Sequence, residues 1–156
     1  MIRFGIFLCI ICTISFAATE VHACSCAVSL KHQKQQVKKA KLDASTVFIG
    51  RVVEIVKTKD PDGNSTSAMK AVFELSRVWK GELKRTISVY TVNGDLCGFN
   101  FEKGSEYLVY AYDSSGSVDT LFTTICSRTK IAHGKYFLTD LKYLEKPLSF
   151  DAKKGN

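Results

Sequence analysis

Two cysteines one residue apart, Cys24-Ser25-Cys26, directly follow an apolar N-terminal stretch, and they constrain this chain more than any other feature. Residues 2–18 are apolar apart from Arg3, Thr13 and Ser15. A cationic start, an apolar core from Ile6 to Ala18 and a Val21-His22-Ala23 end have the grammar of a secretion signal. The apolar core falls short of the roughly 20 residues that a spanning helix needs, so no membrane span is expected. Cleavage after Ala23 makes Cys24 the first residue of a secreted mature chain. The alternatives are a retained N-terminal anchor and a bacterial lipoprotein, periplasmic or lipid-anchored through Cys24, for which His22 is an awkward neighbour. Chain ends ordinarily fray. An end carrying two half-cystines is pinned, which points to work for the terminus itself.

Of the six cysteines, Cys9 and Cys12 fall in the signal's apolar core and leave with it. Cys24, Cys26, Cys97 and Cys126 remain, and an even number in a secreted chain predicts disulfides, with three possible pairings. Pairing Cys24 with Cys26 closes a very tight ring, so the early cysteines reach to Cys97 and Cys126 in one of two arrangements. Each bridge then closes a loop of roughly 70 to 100 residues, worth about 4–5 kcal/mol in the chain-entropy model. Zinc ligation is the rival use. C-x-C with two isolated distant cysteines is poor spacing for it.

The segment from Ser29 to Leu42 has good helix formers, no Gly or Pro, and Ser29 as an N-cap. Leu30, Val37 and Leu42 give it a thin apolar stripe, which predicts an outer helix with its lysines in water. From Thr46 the pattern turns to strand. Val47 to Val56 is β-branched and interrupted by Gly50, which predicts a bulge or bend. Lys59 to Ser65 reads as a loop, and its Asn64-Ser65-Thr66 is a glycosylation sequon that marks Asn64 as a possible glycan site. Further strands are predicted over Met69–Trp79 (with Ala71, Phe73 and Leu75 on one face), Thr86–Thr91, Glu106–Tyr112 and Thr120–Ile125. Turns at Lys80-Gly81-Glu82, Asn93-Gly94-Asp95 and 113–118 separate them. Five strands without a βαβ rhythm read as a closed or nearly closed β-barrel. Phe137, Leu141 and Leu144 then predict a helix over about 134–146, and the chain from Pro147 is expected to fray.

Enzyme chemistry finds no foothold, so the chain is read as a non-enzyme without a cofactor of its own. His32 and His133, the histidines beyond residue 23, belong to no nucleophile or metal motif. Trp79, Tyr107, Tyr110 and Tyr112 could form a base-stacking platform, but strand tyrosines more often pack in a core, and no nucleic-acid partner is expected for a secreted chain. The net charge of +7 favours acidic partners such as sulfated glycans or anionic surfaces, or merely solvates a basic face.

An ordered set of segments then stands out: Cys24-Ser25-Cys26, Val47-Phe48-Ile49-Gly50, Phe73 to Gly81 (FELSRVWKG), Val89-Tyr90-Thr91, Leu96-Cys97-Gly98, Glu106-Tyr107-Leu108-Val109 and Thr123-Thr124-Ile125-Cys126. Together, over roughly residues 24–130, they resemble the N-terminal inhibitory domain of the tissue inhibitors of metalloproteinases. The resemblance implies a netrin-like domain over 24–146, a five-stranded OB-type barrel with flanking helices. It implies the pairing Cys24–Cys97 and Cys26–Cys126. It also implies a secreted inhibitor of zinc metalloendopeptidases, in which the α-amine and carbonyl of Cys24 chelate the target protease's zinc. Ser25 would enter the specificity pocket, Cys26, Ala27 and Val28 would continue the contact edge, and Asp95 and Leu96 would lie alongside. The chain departs from the family in having Ser25 where threonine is expected and Val28 where proline is common. It also lacks counterparts of the third disulfide and of the cysteine-rich C-terminal domain. The alternative is a non-inhibitory netrin-like module that binds acidic glycans, matrix or an extracellular partner, with Lys31, Lys34, Lys38, Lys39 and Lys41 as its polyanion contacts.

Overall fold

A computed structural model of the chain describes residues 24, 26, 32–59, 67–92, 97–113 and 120–148. Helix α1 (Gln33–Asp43) is followed by β1 (Thr46–Thr58), β2 (Ala68–Lys80), β3 (Thr86–Val92), β4 (Glu106–Asp113), β5 (Leu121–Phe122), β6 (Lys130–Ile131) and α2 (Lys135–Tyr143). The strands are ordered β1-β2-β3-β5-β4-β6, and an additional β1–β4 pairing closes the first five into a ring. All pairings are antiparallel except β3 with β5. This is the closed five-stranded barrel with flanking helices that the strand pattern and the family resemblance predict.

Period-2 alternation divides the barrel wall into two cores. In β4, Tyr107, Val109 and Ala111 face inward with Phe48, Val52, Phe73, Val78 and Val89. The intervening Leu108 and Tyr110 face outward and join Val47, Ile49, Trp79, Val37 of α1, Phe137 of α2 and Leu144, its C-cap. The helices therefore cover β1 and β4 from outside, which is why Thr46–Gly50 is buried at every position. Each large side chain so buried contributes on the order of 1.5–3 kcal/mol. Trp79 and the tyrosines of β4 serve packing: Trp79, Tyr107 and Tyr110 are buried.

Gly50 sits at a register shift between β1 and β2, and a Cβ there would lie 3.0 Å from the Glu74 carbonyl oxygen. At the β2–β3 turn, Gly81 has φ +99°, and an added Cβ would lie 2.5 Å from Thr46 Oγ1. That hydroxyl donates to the Lys80 carbonyl at 2.9 Å. Gly81→Ala should therefore cost about 1–3 kcal/mol in urea unfolding, from left-handed backbone strain together with displacement of Thr46. An unchanged midpoint would show that the turn relaxes freely.

Several expectations require correction. Helix α1 starts at Gln33 with His32 in the cap position and no side-chain cap; Ser29 and Leu30 lie outside the described residues. Leu42 is 76% exposed because five residues from Val37 is a turn of about 140° around the helix, away from the packed face. The fifth strand shrinks to Leu121–Phe122, because beyond it threonine hydroxyls replace the ladder toward β4. The hydroxyls of Thr123 and Thr129 lie 3.1 and 3.2 Å from the Tyr110 carbonyl, and the Tyr110 N–H donates to Thr129 Oγ1 at 3.0 Å. The chain returns to β4 as β6, a strand the sequence pattern did not announce. In the tail expected to fray, the Leu148 N–H donates to the Val78 carbonyl at 2.7 Å, while residues 149–156 lie outside the described residues.

Candidate functional site

Cys24 is bonded to Cys97 and Cys26 to Cys126, with Cα–Cα separations of 5.5 and 5.2 Å. This is the pairing implied by the family resemblance, and it leaves none of the four thiols to ligate metal or attack a substrate. The two receiving cysteines occupy adjacent backbone. Gly98 and Thr124 form a β-bridge, and the Ile125 N–H donates to the Cys97 carbonyl at 3.0 Å. Both early cysteines are thus stapled to one small platform.

That platform is rooted in the barrel. The Phe99 N–H donates to the buried Thr91 hydroxyl at 2.7 Å. The Phe99 and Phe101 rings pack on each other with centroids 4.7 Å apart, and Phe101 meets Tyr107 and Phe73 edge-on at 5.0 Å. The Tyr107 hydroxyl in turn accepts the Glu102 N–H at 3.0 Å. Cys97 itself has φ +66°, in the left-handed region that a non-glycine residue adopts at a cost of about 1 kcal/mol or more. Its own disulfide and the packing of Phe99 and Phe101 just after it hold it there.

The second half of the platform is held by a buried charge cluster that sequence reasoning missed. Asp140 of α2 is fully buried. Its carboxylate accepts from Arg128 Nε and Nη2, each at 2.9 Å, from Lys130 Nζ at 2.8 Å and from the Tyr110 hydroxyl at 3.2 Å. Arg128 also donates to the Gln36 side chain at 2.9 Å and to that of Gln33 at 2.6 Å. The sequence signal was an aspartate inside the apolar stripe of Phe137, Leu141 and Leu144, where a lone charge would be costly without partners.

The cluster shifts its members. Burial pushes the Lys130 ammonium's pKa down, against the opposing pull of the Asp140 hydrogen bond and charge. Burial, and then the Asp140 charge, hold the Tyr110 phenol well above its ordinary value of 10.0. A folded-state pKa above the unfolded one contributes stability that is complete below about pH 10 and is lost as pH rises further. Wild-type protein should therefore lose more stability than Tyr110→Phe when chemical denaturation is compared at pH 9 and pH 11. Parallel losses would mean that the phenol's burial is not coupled to folding.

Ser25, Ala27, Val28, Lys31, Asn64, Asp95 and Leu96 lie outside the described residues. Among the α1 lysines, Lys34, Lys38 and Lys39 are exposed, and Lys39 pairs with Asp43 at 2.7 Å. Lys41 departs from the solvated face: it is half-buried, with its Nζ 3.5 Å from the Leu144 carbonyl. Among the described residues no helix is long and apolar enough to cross a membrane. No family model matches this chain, and no curated protein matches it.

Proposed function

We propose that this protein is a secreted inhibitor of zinc metalloendopeptidases, related to the tissue inhibitors of metalloproteinases. In this reading the α-amine and carbonyl of a mature N-terminal Cys24 chelate the target enzyme's zinc. The observation that carries it is the double stapling of Cys24 and Cys26 to adjacent backbone at Cys97–Gly98 and Thr124–Cys126. A free chain end loses conformational entropy when it binds; one already fixed on a rigid barrel loses little. The chemistry fits the geometry. An α-amine titrates near pH 8, so a usable fraction is neutral at physiological pH and has a lone pair for a metal. With the adjacent carbonyl oxygen it forms a bidentate ligand for the position where such proteases activate water. The disulfides suit an oxidising extracellular compartment.

Serine at position 25 makes a small plug for an apolar specificity pocket, so the reading favours targets with a shallow one. The alternative of an acidic-glycan or matrix-binding module draws on the exposed Lys34 and Lys38 of α1. The test of the inhibitor reading is to move the amine. Protein beginning at Cys24 is compared, over a metalloproteinase panel, with protein beginning one alanine earlier.

A further inference from the structure

The two edges of β3 are used unequally. Toward β2 it is paired from Thr86 to Val92, but toward β5 its pairing starts only at Val89, opposite Leu121. Backbone groups alternate sides along a strand, and two bonds set the phase. The Arg85 carbonyl accepts from Leu75 of β2, and the Tyr90 carbonyl accepts from Thr123, just beyond β5. Thr86 and Ser88 share the phase of Tyr90, so their backbone groups point away from β2. Among the described residues, the Ser88 N–H and both backbone groups of Thr86 meet no strand there. This stretch of edge lines a cavity of about 280 Å³. Ile87 and Leu121 give it an apolar floor continuous with the inner core. Ser45 adds a hydroxyl that accepts the Asp113 N–H and keeps its own proton to donate. Glu82 and Lys84 at the rim neutralise each other at 2.8 Å.

We propose that this edge is a binding site for an extended peptide, which adds a strand in line with β5 along Thr86–Ser88 and places one neutral, apolar side chain in the cavity. In such sites main-chain hydrogen bonds supply the affinity and the side-chain pocket supplies the selectivity. Size favours this occupant. The cavity falls just below the roughly 300–1,000 Å³ of sites that enclose a whole small molecule, and it suits a single large side chain. Charge favours it too, because the Glu82–Lys84 pair leaves no counter-charge for an ionised side chain. The site is independent of the inhibitor reading. Thr91, which holds the Phe99 N–H beside the Cys97 platform, lies about 17 Å from Thr86 at about 3.3 Å per residue of strand. A peptide at this end of β3 is therefore clear of the Cys24 terminus.

The closing experiment is read by NMR on mature oxidised protein. Without peptide, the Thr86 and Ser88 amides should exchange with solvent faster than those of Ile87 and Val89, which face β2. Slow exchange at Thr86 and Ser88 means that the chain itself fills the edge, and it overturns the proposal. Blocked Thr-Thr-Leu-Thr-Thr and its Phe-, Asp- and Lys-centred versions are then titrated to about 5 mM, which reveals any site of millimolar affinity or better. The Leu and Phe peptides should shift the Thr86 and Ser88 amides and the Ile87 and Leu121 methyls. The Asp and Lys peptides should bind at least about tenfold more weakly. N-methylation of one alternate set of peptide amides should weaken binding about tenfold, and methylation of the other set should not, since alternate amides of a strand face one edge. Ser88→Phe, which fills the cavity, should abolish binding; the methylated peptides still decide the matter if that variant does not fold. Equal losses from both methylated sets, shifts confined to other residues, or no shift with any of the four peptides overturns the proposal.

Discussion

On the proposed chelation by Cys24, one additional alanine ahead of it should weaken inhibition at least about a hundredfold, the scale on which disturbing even the outer shell of a metal site changes its affinity. The extension converts the α-amine into a peptide nitrogen, whose lone pair is delocalised into the new carbonyl and is no longer available to zinc. It also adds a residue where the protease's zinc would sit. Nothing else in the molecule needs to change. Cys24 and Cys26 keep their bonds to Cys97 and Cys126, and the barrel closes through β1 and β4 without help from the terminus. Thermal unfolding of the two forms should therefore superimpose while their inhibition constants separate. Equal inhibition by both forms would rule out chelation by the terminus and leave the disulfides as structural staples.

The barrel was legible because its information is local. The alternating Tyr107-Leu108-Val109-Tyr110-Ala111 run specifies a strand with two apolar faces, and Gly50 marks a bulge without reference to any partner. What a run of residues cannot convey is which distant group will compete for its backbone. Thr120–Ile125 has the composition of a strand, yet Thr123 and Thr129 turn their hydroxyls onto Tyr110 and the ladder to β4 stops after Phe122. The start of α1 likewise escapes the local pattern. Ser29 has the chemistry of an N-cap, but the helix begins at Gln33, whose side chain is drawn to Arg128 from across the fold. The disulfide partners could be narrowed to two arrangements by ring size, and only the family resemblance singled out one. Asp140, set among Phe137, Leu141 and Leu144, is a charge in an apolar stripe whose burial the sequence reading missed. Its cations at positions 128 and 130 arrive through β6, which no periodicity in the sequence foretold.

Replacing Asp140 by alanine should cost the fold about 3–5 kcal/mol, a large share of the roughly 5–15 kcal/mol that separates folded from unfolded domains. The asymmetry of the cluster makes this specific. One buried carboxylate serves two cations whose side chains are only 18% and 21% exposed. Removing the carboxylate leaves Arg128 and Lys130 close together in a poorly solvated site with like charges, and it orphans the Tyr110 hydroxyl. Removing Lys130 does the reverse. Lys130→Met leaves a one-to-one Arg128–Asp140 pair with both hydrogen bonds in place and removes an ammonium that burial already disfavours. Its cost should stay within about 1 kcal/mol, because Asp140 stays paired with Arg128 and no buried charge is left uncompensated. Urea unfolding of the two variants under the same conditions checks the ordering. A Lys130→Met loss as large as that of Asp140→Ala would mean that the ammonium, rather than the carboxylate, is the hub on which α1, α2 and the Cys126 segment converge.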